Sequence, residues 1–119
     1  MRVLILEDDP FIALDLQTIV EMDGHEVIGV FDNLAEAREH LTDGFDFALL
    51  DIDVADGKSF AIAAELKSRK IPFVFVSASR PAELPSELRG VSFVPKPYRE
   101  TAILDALAGQ PVARRRHQA

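Results

Sequence analysis

Residues 47–60 read FALLDIDVADGKSF, a continuous apolar run that stops at an aspartate. A run without polar alternation predicts a strand buried on both faces, the kind found in parallel sheets. The residues after the run support three readings. Asp51 and Asp53 form an Asp-x-Asp pair, spaced as nucleophile and acid for hydrolysis of a phosphate ester. Gly57-Lys58-Ser59 matches the end of a phosphate-binding P-loop. Asp51 alone, at a strand tip, is a candidate phosphoryl acceptor.

The flanking sequence repeats the theme. Val3-Leu4-Ile5-Leu6 is halted by Glu7-Asp8-Asp9, and Asp9-Pro10 starts a helix with Asp9 as N-cap and Pro10 in the first turn. Ile12, Leu16 and Ile19 follow at helical spacing until Gly24. A strand is expected over 25–31, then a helix from Asn33, through a capping box with Glu36, to about Leu41. Further expectations are a helix over 59–69, a strand over 72–76 ending in Ser77, a strand over 91–94 and a last helix over 98–108. Between them, 79–90 carries Pro81 and Pro85, so any helix there is short or broken. Strand and helix thus alternate five times, which predicts an α/β fold: a doubly wound, five-stranded parallel sheet with helices on both faces.

The 119 residues suit one domain, and the absence of cysteine removes disulfides and thiolate metal sites. No apolar run is long enough to span a membrane, and MRVLIL enters a strand with no room for a signal peptide, so a cytoplasmic location is expected. Of 13 basic residues against 20 acidic ones, three are the run Arg114-Arg115-Arg116, so the rest of the chain carries ten against twenty. A body with that excess of negative charge does not bind nucleic acid by counterion release. The tail 110–119 reads as a disordered, solvated terminus. His25, His40 and His117 are scattered and read as surface or structural residues.

In such folds ligands gather at the carboxyl ends of the strands, where the strand order reverses. Glu7, Asp8 and Asp9 end the first strand, Asp51 the third and Ser77 the fourth; Lys96-Pro97 comes after the fifth. Taken singly, each residue has an ordinary structural role: Asp9 a helix cap, Ser77 a turn, Lys96 a surface charge. Together they put carboxylates from two strands close to one another, which raises their pKa values unless a cation shares the site. All-oxygen ligands point to Mg²⁺. The P-loop reading fails because it needs glycine where Ile52 stands. The phosphohydrolase reading places its Asp-x-Asp on a first strand of a longer, capped chain. The acceptor reading has the groups that in-line attack on phosphorus needs: a carboxylate, a metal site and a lysine to neutralise charge.

VLILEDDP, FALLDID, FVFVSA and FVPKP, in that order at the ends of alternating strands, resemble the receiver domains of two-component response regulators, the flavodoxin-like (βα)5 receiver fold. The resemblance covers residues 1 to about 108 and implies a receiver domain over 1–109. It implies Asp51 as the phosphorylated residue. It also implies Asp8 as a direct Mg²⁺ ligand, Glu7 as one acting through water, and Asp53 as a ligand through its backbone carbonyl. Ser77 takes the place of a threonine or serine switch, Phe93 that of an aromatic switch, and Lys96 contacts the phosphoryl group across a cis Lys96-Pro97 bond. PFVFVSAS is also similar to the PFxFATGY stretch of the FATGUY single-domain subgroup, with Ser77-Ala78-Ser79 in place of Thr-Gly-Tyr. Ala55 stands where the family usually has proline, and the loop into the third helix is expected to be short.

The function implied is that of a stand-alone receiver taking a phosphoryl group from a sensor histidine kinase or phosphotransfer protein. Its output is contact with a downstream protein or competition for phosphate. It is a signalling protein that assists its own phosphorylation and dephosphorylation, not an enzyme in the usual sense. Two alternatives stay open: a receiver-like binding module independent of phosphorylation, and a small aspartate-based phosphatase. The chain is expected to be a monomer or a weak homodimer. Ala102, Ala106 and Leu107 of the last helix are available to a dimer interface unless the core takes them.

Overall fold

The computed structural model describes residues 1–109. In chain order the elements are β1 (Arg2–Leu6), α1 (Pro10–Met22), β2 (Glu26–Phe31), α2 (Leu34–Glu39), β3 (Phe47–Leu50), β4 (Asp53–Val54), β5 (Gly57–Lys58), α3 (Phe60–Ser68), β6 (Phe73–Ser77), β7 (Phe93–Pro95) and α4 (Glu100–Ala108). Five of the strands form one sheet in the order β2-β1-β3-β6-β7, and every pairing in it is parallel. The α/β doubly wound fold expected from the sequence is therefore present.

The apolar runs explain the layering. Successive side chains of a strand point to opposite faces. Val3 and Ile5 of β1 and Phe47 and Leu49 of β3 join Leu16, Val20, Ile103 and Leu107 under α1 and α4. Leu4, Leu6, Ala48 and Leu50 face the other way, onto Ala37, Ile62, Ala63 and Leu66 of α2 and α3. Leu107 is wholly buried and Ala102 packs against the same core, so the core claims part of the surface that a dimer through α4 would use.

One local outcome follows the expected pattern closely and two differ from it. The fourth crossover holds no α-helix, only single 3-10 turns at Pro81–Glu83 and Ser86–Leu88. Both prolines act as expected: Arg80 (ψ 148°) and Leu84 (ψ 143°), which precede them, are held extended. The connection from β3 to α3 is not a plain short loop but carries the antiparallel hairpin β4–β5. Gly57 sits there at φ +141°, a conformation that residues with a side chain rarely adopt, which accounts for the glycine first read as part of a P-loop. The last helix begins at Glu100, so Tyr98 lies in the loop before it. The basic tail 110–119 lies outside the described residues. No helix among them is long and apolar enough to cross a membrane.

Candidate functional site

The order of the sheet places the site. From β1 the chain moves to one edge through β2, then crosses back to β3 on the other side, so the strand order reverses between β1 and β3. Sheet-type hydrogen bonds continue past the strand ends: Glu7 N–H donates to the Phe31 carbonyl (2.8 Å), Asp51 N–H to Leu6 (2.8 Å) and Lys96 N–H to Ser77 (3.0 Å). The site residues therefore stand on the rim of the sheet itself.

Glu7, Asp8 and Asp51 offer carboxylate oxygens that all lie within 4.8 Å of one another. Glu7 (2% exposed) and Asp51 (6%) are buried, whereas Asp8 faces solvent. Lys96 reaches both buried acids, with Nζ 2.7 Å from Glu7 Oε1 and 3.1 Å from Asp51 Oδ2. The Asp9 N–H donates to Glu7 Oε2 (3.0 Å), and the Asp9 carboxylate caps α1 by accepting from Phe11 and Ile12. Burial pushes the Glu7 carboxyl above its ordinary pKa, helped by the charge of Asp51 and opposed by the bonds from Lys96 and Asp9. For Lys96, burial works to lower the pKa, but the bonds and charges of Glu7 and Asp51 outweigh it and hold the ammonium above its usual value. The two buried acids thus share a single lysine, and the exposed Asp8 stands beside them.

The donor set suits a hard divalent cation: three carboxylates, one open to solvent, with no sulfur or imidazole among them. It is the set that the resemblance to receiver domains implies for a Mg²⁺ site. Bound there, the ion would be held by Asp8 and Asp51, with Glu7 beside them.

The remaining candidates divide. Ser77 is buried at the end of β6, its Oγ accepting from the Ser79 N–H at 3.2 Å. Phe93 lies half-buried on β7, its ring 6.3 Å from that of Phe75. The Lys96-Pro97 bond is cis. The Asp53 side chain turns aside: it pairs with Lys58 and accepts from Ser79 Oγ at 3.0 Å. The Lys58 bond lowers its pKa, burial opposes this, and the Ser79 bond and the Lys58 charge lower it further. The carboxylate is thus engaged with Lys58 and Ser79, not with Glu7, Asp8 and Asp51. Lys58, paired with Asp53 on a hairpin, is no P-loop lysine.

Three residues at this rim escaped sequence reasoning. Ser59, read as a helix start and as the end of a rejected P-loop, is wholly buried and donates its hydroxyl to the Asp51 carbonyl at 2.6 Å. Asp56 accepts from the Leu34 N–H (2.6 Å) and the Ala35 N–H (3.2 Å), tying the hairpin to the start of α2. Tyr98 donates to Asp15 Oδ2 at 2.6 Å, joining the Lys96-Pro97 loop to α1. Their neighbours in the chain carry no pattern that marks these partners, which lie 8 to 83 positions away.

Comparison with known proteins agrees with the fold. The model of the response regulator receiver domain family matches residues 3–108. The phyllosphere-induced regulator PhyR of Methylorubrum extorquens is 37% identical over 124 residues, an alignment that takes in 97% of this chain and 46% of PhyR. Among solved structures, SdrG from Sphingomonas melonis Fr1 superposes with a TM-score of 0.79 at 33% identity, over 91% of this chain and 93% of that one. PhyR from Brucella abortus gives 0.75 at 31% identity, over 98% of this chain and 49% of that one. The chain spans less than half the length of the curated relatives it matches. With a family match that runs through every strand of the sheet, the chain belongs to the family of response regulator receiver domains.

Proposed function

We propose that residues 1–109 act as a phosphorylation-controlled receiver unit whose acceptor is Asp51. The observation that carries this reading is the meeting, on one rim, of a buried Asp51 carboxylate with Glu7 and Asp8 inside 4.8 Å and the Lys96 ammonium at 3.1 Å. Membership of the family implies a histidine kinase as partner. The donor is a phosphohistidine on such a kinase or on a phosphotransfer protein. An Asp51 carboxylate oxygen forms the new O–P bond as the N–P bond breaks, and the electron pair leaves with the imidazole. A bound Mg²⁺ supplies neutralising charge to the phosphoryl oxygens. Lys96 supplies more, its contact with Asp51 already made. The Asp53 backbone carbonyl would join Asp8 and Asp51 in holding the ion.

The docking face for the donor is the exposed side of α1. Phe11 (84% exposed) and Leu14 (62%) stand there beside the acidic rim, and Leu14, Val30 and Phe31 line a cleft that opens onto Glu7 and Asp8. Exposed apolar side chains next to a reactive group suit a transient protein partner. Once Asp51 carries the phosphoryl charge, Ser77 gives up its bond from Ser79 and donates to a phosphoryl oxygen. Phe93 then moves inward toward Phe75, and segment 77–97 repacks as the surface read by a downstream protein.

The test uses a small acyl phosphate with Mg²⁺ and reads intact mass. The wild type gains one phosphoryl group, Asp51→Asn gains none, and chelating the metal stops the reaction. An unmodified wild type beside a modified control receiver, or modification that survives in Asp51→Asn, refutes the assignment.

A further inference from the structure

Ser59 occupies the N-cap position of α3, where a serine hydroxyl ordinarily accepts from the first amides of the helix. It makes no such bond, and its backbone (φ −84°, ψ 10°) lies outside the extended conformation usual for a cap. Instead its wholly buried Oγ donates to the Asp51 carbonyl (2.6 Å), while its N–H donates to the Ile52 carbonyl (2.9 Å). One residue therefore holds two consecutive carbonyls of the acceptor loop.

The hairpin makes this more specific. Antiparallel pairs alternate between hydrogen-bonded and non-hydrogen-bonded types. Because Ser59 N–H bonds Ile52, the next pair, Asp53 with Lys58, is the non-hydrogen-bonded one. The ladder thus leaves the Asp53 carbonyl unspent, while the Asp53 side chain is drawn off to Lys58 and Ser79.

We infer that Ser59 is a positioning residue for the divalent-ion site: by fixing the 51–52 peptides it aims the Asp51 carboxylate at Glu7 and Asp8 and leaves the Asp53 carbonyl to the same ion. This rests on the reading of the rim as a Mg²⁺ site. Groups that orient metal ligands typically account for about 10–100-fold in affinity, the scale of effect expected here.

The test is calorimetric titration of Mg²⁺ into the chain with no phosphoryl donor present. Ser59→Ala and Ser59→Cys are compared with wild type, each checked for folding by its amide spectrum. Cysteine keeps the shape but is a weak donor. Both variants are expected to bind Mg²⁺ about tenfold or more weakly. With a small acyl phosphate, both should need correspondingly more Mg²⁺ for half-maximal rate and recover most of the wild-type rate when saturated. If either folded variant binds Mg²⁺ within about twofold of wild type, whatever its loss of stability, Ser59 is only a structural residue and the inference falls. If wild type itself binds no Mg²⁺, the reading of the rim fails first, and the inference with it.

Discussion

Two stretches leave the acidic rim, and they are held in opposite ways. Residues 51–59 are bound from several directions. Asp51 N–H donates to the Leu6 carbonyl, Ala55 N–H reaches the Asp32 carbonyl, and Asp56 accepts from two amides at the start of α2. Ser59 ties the stretch together within itself through the Asp51 and Ile52 carbonyls. Residues 77–92 are held largely by bonds to themselves: Glu83 to Arg80, Leu84 to Pro81, Leu88 to Pro85 and Val91 to Leu88. Their hold on the body comes from two buried leucines, Leu84 and Leu88, and from Lys67 on α3, which donates to the Glu87 carbonyl at 2.6 Å. Ser79 Oγ adds a bond to Asp53, and strand bonds to the carbonyls of Ser77 and Ser92 hold the two ends. Bonds between distant residues pin a group to the sheet, whereas bonds inside a turn travel with it. The first arrangement suits the proposed phosphoryl acceptor, and the second suits the surface proposed to answer to its charge.

The largest break in this contrast is Leu88→Ala. Leu88 is wholly buried against the core under α3, so its truncation should cost about 2–5 kcal/mol in a denaturant melt. Hydrogen exchange should rise first across 77–92, while amides of 51–59 keep their protection; uniform loosening of both would erase the distinction. Asp56→Ala attacks the pinned side. A lower Tm is expected, with faster exchange at Leu34 and Ala35, the two amides that lose their acceptor.

The loop after β7 belongs with the pinned side, and pH tests it. Burial raises the Tyr98 pKa from 10.0, and its bond to Asp15 with the charges of Asp15 and Glu7 raises it further. The folded chain therefore holds this proton more tightly than the unfolded one. That contribution to stability is complete below pH 10.0 and is lost as pH rises above it. Tyr98 is the sole tyrosine and there is no tryptophan, so phenolate absorption reports it alone. It should titrate above 10.0 in the native chain, and Tyr98→Phe should flatten the alkaline loss of stability. The smallest effect is expected from Ser79→Ala, which cuts the hydroxyl tie from the pliant stretch to Asp53 (3.0 Å). A stability change of about 1 kcal/mol or less is expected, with faster exchange at 78–80 as the measurable consequence.

Much of the fold was legible because burial on both faces leaves uninterrupted apolar runs, and Val3–Leu6, Phe47–Leu50 and Phe73–Val76 carry that mark. Asp9-Pro10 marked a helix start, and Pro81 and Pro85 marked the broken fourth crossover, because proline's backbone limits act within one residue of it. The hairpin β4–β5 was missed because two-residue strands have no periodicity to read.

The sequence by itself determined that Glu7, Asp8, Asp51, Ser77 and Lys96 would share one rim, since parallel strands all end at the same edge of a sheet. Tertiary structure alone decided how that rim is wired. Lys96 bridges Glu7 and Asp51, Ser59 holds the Asp51 carbonyl rather than capping its helix, and Asp53 gives its side chain to Lys58. Which edge a residue occupies depends on the local pattern of apolar and polar positions. Which partner it meets there depends on residues as far as 89 positions apart, brought within bonding distance only when the sheet and its crossovers close.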